Sequence, residues 1–204
     1  MHRYSIIDDG TPLNKAEKAL ILLHGRGGTA EDIMILADEF CDKSFYVAAP
    51  QATGNSWYPY SFLNPEVDNE PWLSSAIQIV RSVINSVSYQ LPNNKIYLMG
   101  FSQGACLALE FAARFPSDFG GVVAFSGGLI GDRINREKYK GSFDKTKIFI
   151  GNSNRDPHIP LSRSAGSAEL LHELGADVMY KIYQEMAHTI IPEEIEDVKK
   201  FMFV

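Results

Sequence analysis

Short, continuously apolar runs alternate along this chain with longer segments whose apolar residues recur at helical spacing. The runs Lys18–Leu23, Phe45–Ala49, Lys95–Met99, Gly121–Phe125, Lys147–Ile150 and Val178–Tyr183 each predict a strand. They lack polar alternation, as strands covered on both faces of a parallel sheet do. Between them, helices are predicted over residues 30–40, 73–90, 105–114, 160–174 and 192–203. The first carries Ile33, Leu36, Ala37 and Phe40 on one stripe, the second Ile77, Val80, Ile84 and Val87. Arg3–Ile7 predicts a short edge strand, and Asp8-Asp9-Gly10-Thr11-Pro12 is turn chemistry. The alternation predicts an α/β fold, a mostly parallel sheet with helices on both faces. In such sheets ligands sit at the carboxyl ends of the strands.

Two stretches have no clear period. Gln51–Trp72 is a long loop with too many aromatics for disorder, among them Trp57, Tyr58, Tyr60, Phe62 and Trp72. Leu129–Thr146 is dense in charge, with Arg133, Arg136, Lys138, Lys140 and Lys145, and reads as a solvated surface excursion rather than a binding patch.

Composition narrows the class without choosing the chemistry. The 204 residues suit one domain over 1–204, with 45% hydrophobic and 22% charged content. A net charge of −6 and no basic stripe argue against a nucleic-acid partner. Cys41 and Cys106 match no metal or redox spacing, and Cys106 reads as a buried small hydrophobe. The first ten residues hold no apolar signal core, and no apolar run approaches the length of a membrane span. The expectation is a cytoplasmic protein without stable membrane insertion.

The chemistry gathers around Gly100-Phe101-Ser102-Gln103-Gly104, a G-x-S-x-G between a predicted strand and a predicted helix. In that setting the pattern is a nucleophile elbow: a serine on a strained turn, flanked by glycines because side chains there would clash. Its competing reading is a glycine-rich turn with a capping serine. A serine hydroxyl needs a base, and the base needs an orienting partner. Of five histidines, only His188 follows the last strand in a loop of small neighbours; His24 precedes the elbow, and His172 falls inside a helix. Asp156 follows a strand end, whereas Asp144 and Asp177 precede strands and belong to the opposite rim. Asp156 also reads as an Asx-turn residue before Pro157. The oxyanion needs N–H donors: the Gln103 amide, and one from the glycine loop after the first buried strand, for which Arg26 is the best placed. The Arg26 side chain suits either an anionic substrate group or a structural ion pair. Neither a full dinucleotide pattern nor a P-loop lysine is present, and no His/Asp/Glu cluster has metal-ligand spacing, so no cofactor or metal is expected.

These pieces together resemble the phospholipase/carboxylesterase family of α/β-hydrolases, which includes acyl-protein thioesterases. The resemblance rests on Leu23–Gly28, Ala49-Pro50-Gln51, Ser56-Trp57-Tyr58, Gly100–Gly104, Ser126-Gly127-Gly128, Asp156–Pro160 and Met186–Thr189, in the family's order over nearly the whole chain. Asn55–Leu63 and Asn69-Glu70-Pro71 are similar to its short bacterial branch; Arg26 departs from the eukaryotic thioesterases, which usually carry an apolar residue there. The resemblance implies an α/β-hydrolase fold with no large cap domain, Ser102, Asp156 and His188 as triad, and Arg26 and Gln103 amides as oxyanion hole. It is also compatible with a homodimer. The expected activity is hydrolysis of small carboxylic esters, extending to thioesters or lysophospholipids, through an acyl-enzyme on Ser102. Trp57, Tyr58, Tyr60 and Phe62 are expected to wall the substrate pocket. Hydrolysis of lactones or aromatic esters, and a non-catalytic receptor on the same fold, are the alternative readings.

Overall fold

A computed structural model describes residues 1–203. Seven strands form one sheet in the order β1-β3-β2-β4-β5-β6-β7. They are β1 (Ile6–Gly10), β2 (Lys18–Leu23), β3 (Phe45–Pro50), β4 (Ile96–Phe101), β5 (Gly121–Phe125), β6 (Lys147–Ser153) and β7 (Asp177–Tyr183). Every pairing is parallel except that of β1 with β3. The helices are α1 (Ala30–Met34), α2 (Ala37–Phe40), α3 (Trp72–Ser88), α4 (Gln103–Arg114), α5 (Leu161–Glu173) and α6 (Pro192–Met202).

The unbroken apolar runs have a direct physical cause. Along β2, Ala19, Ile21 and Leu23 enter one core with α3, α4 and α5, while Leu20 and Leu22 enter a second core with α1, α2 and α6. In β5, Val122 and Ala124 alternate in the same way with Val123 and Phe125. Both faces are covered, so both parities of each strand must be apolar.

Three differences from the sequence expectations matter. First, β1 begins later than Arg3 and carries Asp8 and Asp9; at an open sheet edge exposed carboxylates cost little, so turn-like residues remain in a strand. Second, the segment 30–40 is two helices, because the amides of Leu36, Asp38 and Glu39 bond carbonyls three residues back and tighten the ladder. Third, the 129–146 connection is only partly solvated. Arg133, Arg136 and Lys140 are exposed, but Leu129, Ile130, Tyr139 and Phe143 are buried. It is tied to the buried Glu110 of α4, whose carboxylate accepts from Ile130 N–H at 3.0 Å and Tyr139 Oη at 2.9 Å. Among the described residues no helix is long and apolar enough to cross a membrane.

Candidate active site

Ser102 sits between β4 and α4 with φ 54° and ψ −116°, a conformation that L-residues avoid. Two glycines make the turn possible. A Cβ on Gly100 would lie 2.4 Å from the Gly104 carbonyl, and one on Gly104 would lie 2.1 Å from the Leu23 carbonyl oxygen. The elbow is thus pressed against itself and against the end of β2. Its backbone is fixed by Ser102 N–H donating to Phe125 O at 2.9 Å.

The rim rule brings together residues far apart in sequence. His188 Nε2 lies 2.8 Å from Ser102 Oγ, and its Nδ1 lies 2.7 Å from Asp156 Oδ2. The other Asp156 oxygen accepts the amides of His158 and Ile159 at 2.8 and 3.0 Å. Burial alone would raise the Asp156 carboxyl; the hydrogen bonds from His188, His158 and Ile159 outweigh it and hold the group below its usual range. Asp156 is therefore both an Asx-turn residue and the partner of His188. The end of β6 holds both loops in place: Asn152 Nδ2 donates to Ile159 O at 3.1 Å, Ser153 Oγ to Met186 O at 2.5 Å, and Asn154 Oδ1 accepts from Glu185 N–H at 2.7 Å. Phe101 packs on the His188 ring with centroids 5.0 Å apart. His158 packs edgewise on the same ring at 4.8 Å.

In the glycine loop, Gly27 N–H bonds Asn55 O and Gly28 N–H bonds Gly25 O. The Arg26 amide between them has no protein partner among the described residues. The Gln103 amide opens α4, where no intrahelical carbonyl reaches it. Two free N–H groups therefore flank the serine. The Arg26 guanidinium takes neither role considered for it: it donates to Ser56 Oγ, Pro59 O and Tyr60 O at 3.1, 2.9 and 2.6 Å, strapping the aromatic loop. The Gln103 side chain does the same from below, accepting from Trp57 N–H and donating to Tyr58 O, both at 2.8 Å.

A cleft of about 460 Å³ opens over Ser102, lined by Tyr58, Tyr60, Phe62, Cys106 and Ile159 among others. Trp57 does not line it. The ring is 0% exposed and its Nε1 donates to His24 O at 2.9 Å, so it supports the glycine loop from the core. The sequence could not separate Trp57 from Tyr58 because neighbouring loop aromatics carry no period to tell inward from outward. Cys106 is buried at the cleft floor, and burial pushes its thiol up to about 12. His24 also supports this region. Buried and with its pKa lowered by that burial, it accepts Ala52 N–H at Nε2 (3.1 Å) and lies 2.7 Å from Gly25 O at Nδ1. Only the strand-end position of His24 hinted at this. Among the described residues no group of three or more His, Cys, Asp or Glu is placed to hold a metal ion.

Helix α6 starts just after the His188 loop, and its Glu194 is fully buried. One carboxyl oxygen accepts Ile191 N–H at 3.2 Å; the other has no partner among the described residues. Burial pushes Glu194 up to about 7, opposed by the Ile191 hydrogen bond and reinforced by Asp197, Asp156 and Glu193. A pKa raised on folding stabilises fully below the unfolded value and loses that contribution as pH rises to about 7. Glu194→Gln keeps an acceptor for Ile191 and cannot ionise. Its unfolding free energy should match wild type near pH 4 and exceed it increasingly up to pH 7–8, by up to about 3 kcal/mol, with Tm rising in step. Parallel curves of Tm against pH would contradict this.

A family model described as Phospholipase/Carboxylesterase matches residues 10–204. Acyl-protein thioesterase 1 of Saccharomyces cerevisiae is 28% identical over 213 residues, spanning 93% of this chain and 93% of that protein. The crystal structure of a phospholipase/carboxylesterase from Dyadobacter fermentans superposes with a TM-score of 0.97 at 44% identity, covering 100% of this chain and 98% of that one. A Bacillus cereus carboxylesterase superposes with a TM-score of 0.80 at 19% identity over 98% and 93% of the two chains, a likeness of fold.

Proposed function

The chain belongs to the phospholipase/carboxylesterase family of α/β-hydrolases and is an ester hydrolase; from that premise we propose that it works through an acyl-enzyme on Ser102. His188 takes the Ser102 proton as Oγ attacks the carbonyl carbon, and Asp156 holds the imidazole in the tautomer whose Nε2 is free to accept it. The carbonyl oxygen, now an alkoxide, is held by the amides of Arg26 and Gln103. His188 returns the proton to the leaving oxygen, and water then repeats the sequence on the acyl-enzyme. The observation that carries this reading is the chain of 2.8 and 2.7 Å contacts linking Ser102, His188 and Asp156. Tyr58, Tyr60 and Phe62 bound the cleft that takes one substrate group. Thioesters pass through the same steps, and the name of the yeast relative brings them within the reading.

A fluorophosphonate probe followed by peptide mass spectrometry is the direct test. It should label Ser102 stoichiometrically with loss of p-nitrophenyl butyrate turnover. Labelling elsewhere, or inactivation without a modified Ser102 peptide, would remove Ser102 as nucleophile. A non-catalytic receptor would bind without labelling.

A further inference from the structure

The base of the proposed mechanism is gripped at both ring nitrogens, by Ser102 and by Asp156. Two hydrogen bonds fix an axis through the ring and leave its tilt about that axis to packing. Two rings supply the packing: Phe101, with centroids 5.0 Å apart and planes at 36°, and His158, at 4.8 Å and 71°. The triad itself holds His158 there. Its N–H donates at 2.8 Å to Asp156 Oδ1, the carboxylate oxygen that His188 does not use. Pro157 restricts the backbone just before it, and the buried Ile159 anchors the turn just after it. The His158 side chain is exposed, lines the cleft over Ser102 together with His188, and makes no hydrogen bond among the described residues. Arg26 and Gln103 line the same cleft, but their side chains are committed to the aromatic loop. His158 therefore brings to the base an aromatic surface and a titratable group, neither of them used to hold the fold.

We propose that His158 is a positioning residue for His188: its ring holds the tilt of the base toward Ser102, and its charge extends the range in which the base stays free to take a proton. This role presupposes the acyl-enzyme reaction with His188 as base to Ser102. Histidine gains its charge in the range where such a base works. Two imidazoles 4.8 Å apart repel once both are charged, by roughly 0.6 pH unit at the dielectric of an exposed site. A proton on His158 therefore keeps His188 neutral, and active, to lower pH. The other charges around the pair are Asp156 at Nδ1, Glu194 of α6, whose charge acts on Asp156, and the Arg26 guanidinium on the cleft wall. The Arg155–Glu185 ion pair, at 2.9 Å, joins the loops after β6 and β7. All of these remain when His158 alone is replaced, so variants at that position isolate its own contribution.

His158→Ala and His158→Phe separate shape from charge, in steady-state kinetics on p-nitrophenyl butyrate across the pH range beside a calorimetric scan. His158→Ala should lower kcat at the plateau roughly tenfold and change KM by less than about threefold, because a loosened base costs turnover rather than binding. His158→Phe keeps an aromatic ring against the base and should restore most of kcat. Its acid limb of kcat/KM should nevertheless lie about 0.3–0.6 unit above that of wild type, because the repelling charge is gone. The side chain is exposed, so both variants should melt near wild type; if His158→Ala melts early, the acid limb of His158→Phe decides alone. A kcat of His158→Ala within about twofold of wild type, a loss confined to KM, a His158→Phe as slow as His158→Ala, or coincident acid limbs in His158→Phe and wild type would each overturn the proposal. Fluorophosphonate labelling of the same samples separates the two readings: an unlabelled Ser102 in wild type removes the acyl-enzyme reading, whereas a labelled Ser102 with variants that behave as wild type removes only the role of His158.

Discussion

Ser102→Ala is expected to lower kcat on p-nitrophenyl butyrate by roughly 10⁴- to 10⁶-fold. The Ser102 side chain makes one hydrogen bond, to His188, and alanine keeps the Cβ and the backbone, so thermal stability should change by only about 1 kcal/mol. His188→Ala should fall into the same range, and the double variant should be little worse than either single one, because the residues act as a unit. Asp156→Asn should retain more activity, since the amide can still accept from the His158 and Ile159 amides but no longer favours the productive tautomer. Steady-state kinetics beside a calorimetric scan decide the matter. Turnover of Ser102→Ala within tenfold of wild type would reject the mechanism; lost activity with a collapsed Tm would point to folding instead.

The second large effect lies away from the chemistry. Glu110 is fully buried on α4, and Arg114 Nε donates to it at 2.6 Å. Lys138 also pairs with it, reaching in from the 129–146 connection. Arg114 and Lys138 each pair in addition with Glu66 of the aromatic loop. Burial would raise the Glu110 carboxyl, but Lys138 and Arg114 outweigh it and hold it below the usual range. Glu110→Ala leaves Arg114 and Lys138 sharing the single carboxylate of Glu66, an excess of one positive charge, with Ile130 N–H and the Tyr139 hydroxyl also losing their acceptor. The expected cost is about 3–5 kcal/mol in urea unfolding. Adding Lys138→Met should restore part of it by removing an uncompensated charge, a non-additivity that contact loss alone does not give. A Glu110→Ala midpoint near wild type, at equal m-value, would show that the network does not hold the connection.

Much of the fold was legible because both faces of the sheet are covered. That makes each strand from Lys18–Leu23 to Val178–Tyr183 an apolar run, and the βα alternation then orders the site residues along one rim. Ser102, Asp156 and His188 could be singled out because each follows a strand. The helix over 30–40 was read as continuous because its apolar stripe persists across the change in ladder at Ile35–Leu36. The charged 129–146 segment was read as solvated because Glu110, the group that draws Lys138 inward, lies on another element.

The sequence by itself determined which residues gather on one rim of the sheet. The order of strands, the glycines that permit the Ser102 turn, and the placement of Asp156 and His188 after later strands are local properties, each set by backbone geometry within a few residues. What only the tertiary structure decided is which side chains face the cleft and which hold the loops around it. Trp57 turned into the core while Tyr58 bounds the cleft, Arg26 became a strap, and His24 and Glu194 were buried as supports. Those outcomes depend on contacts between segments tens of residues apart, where no periodicity assigns a direction to a side chain, and only packing does.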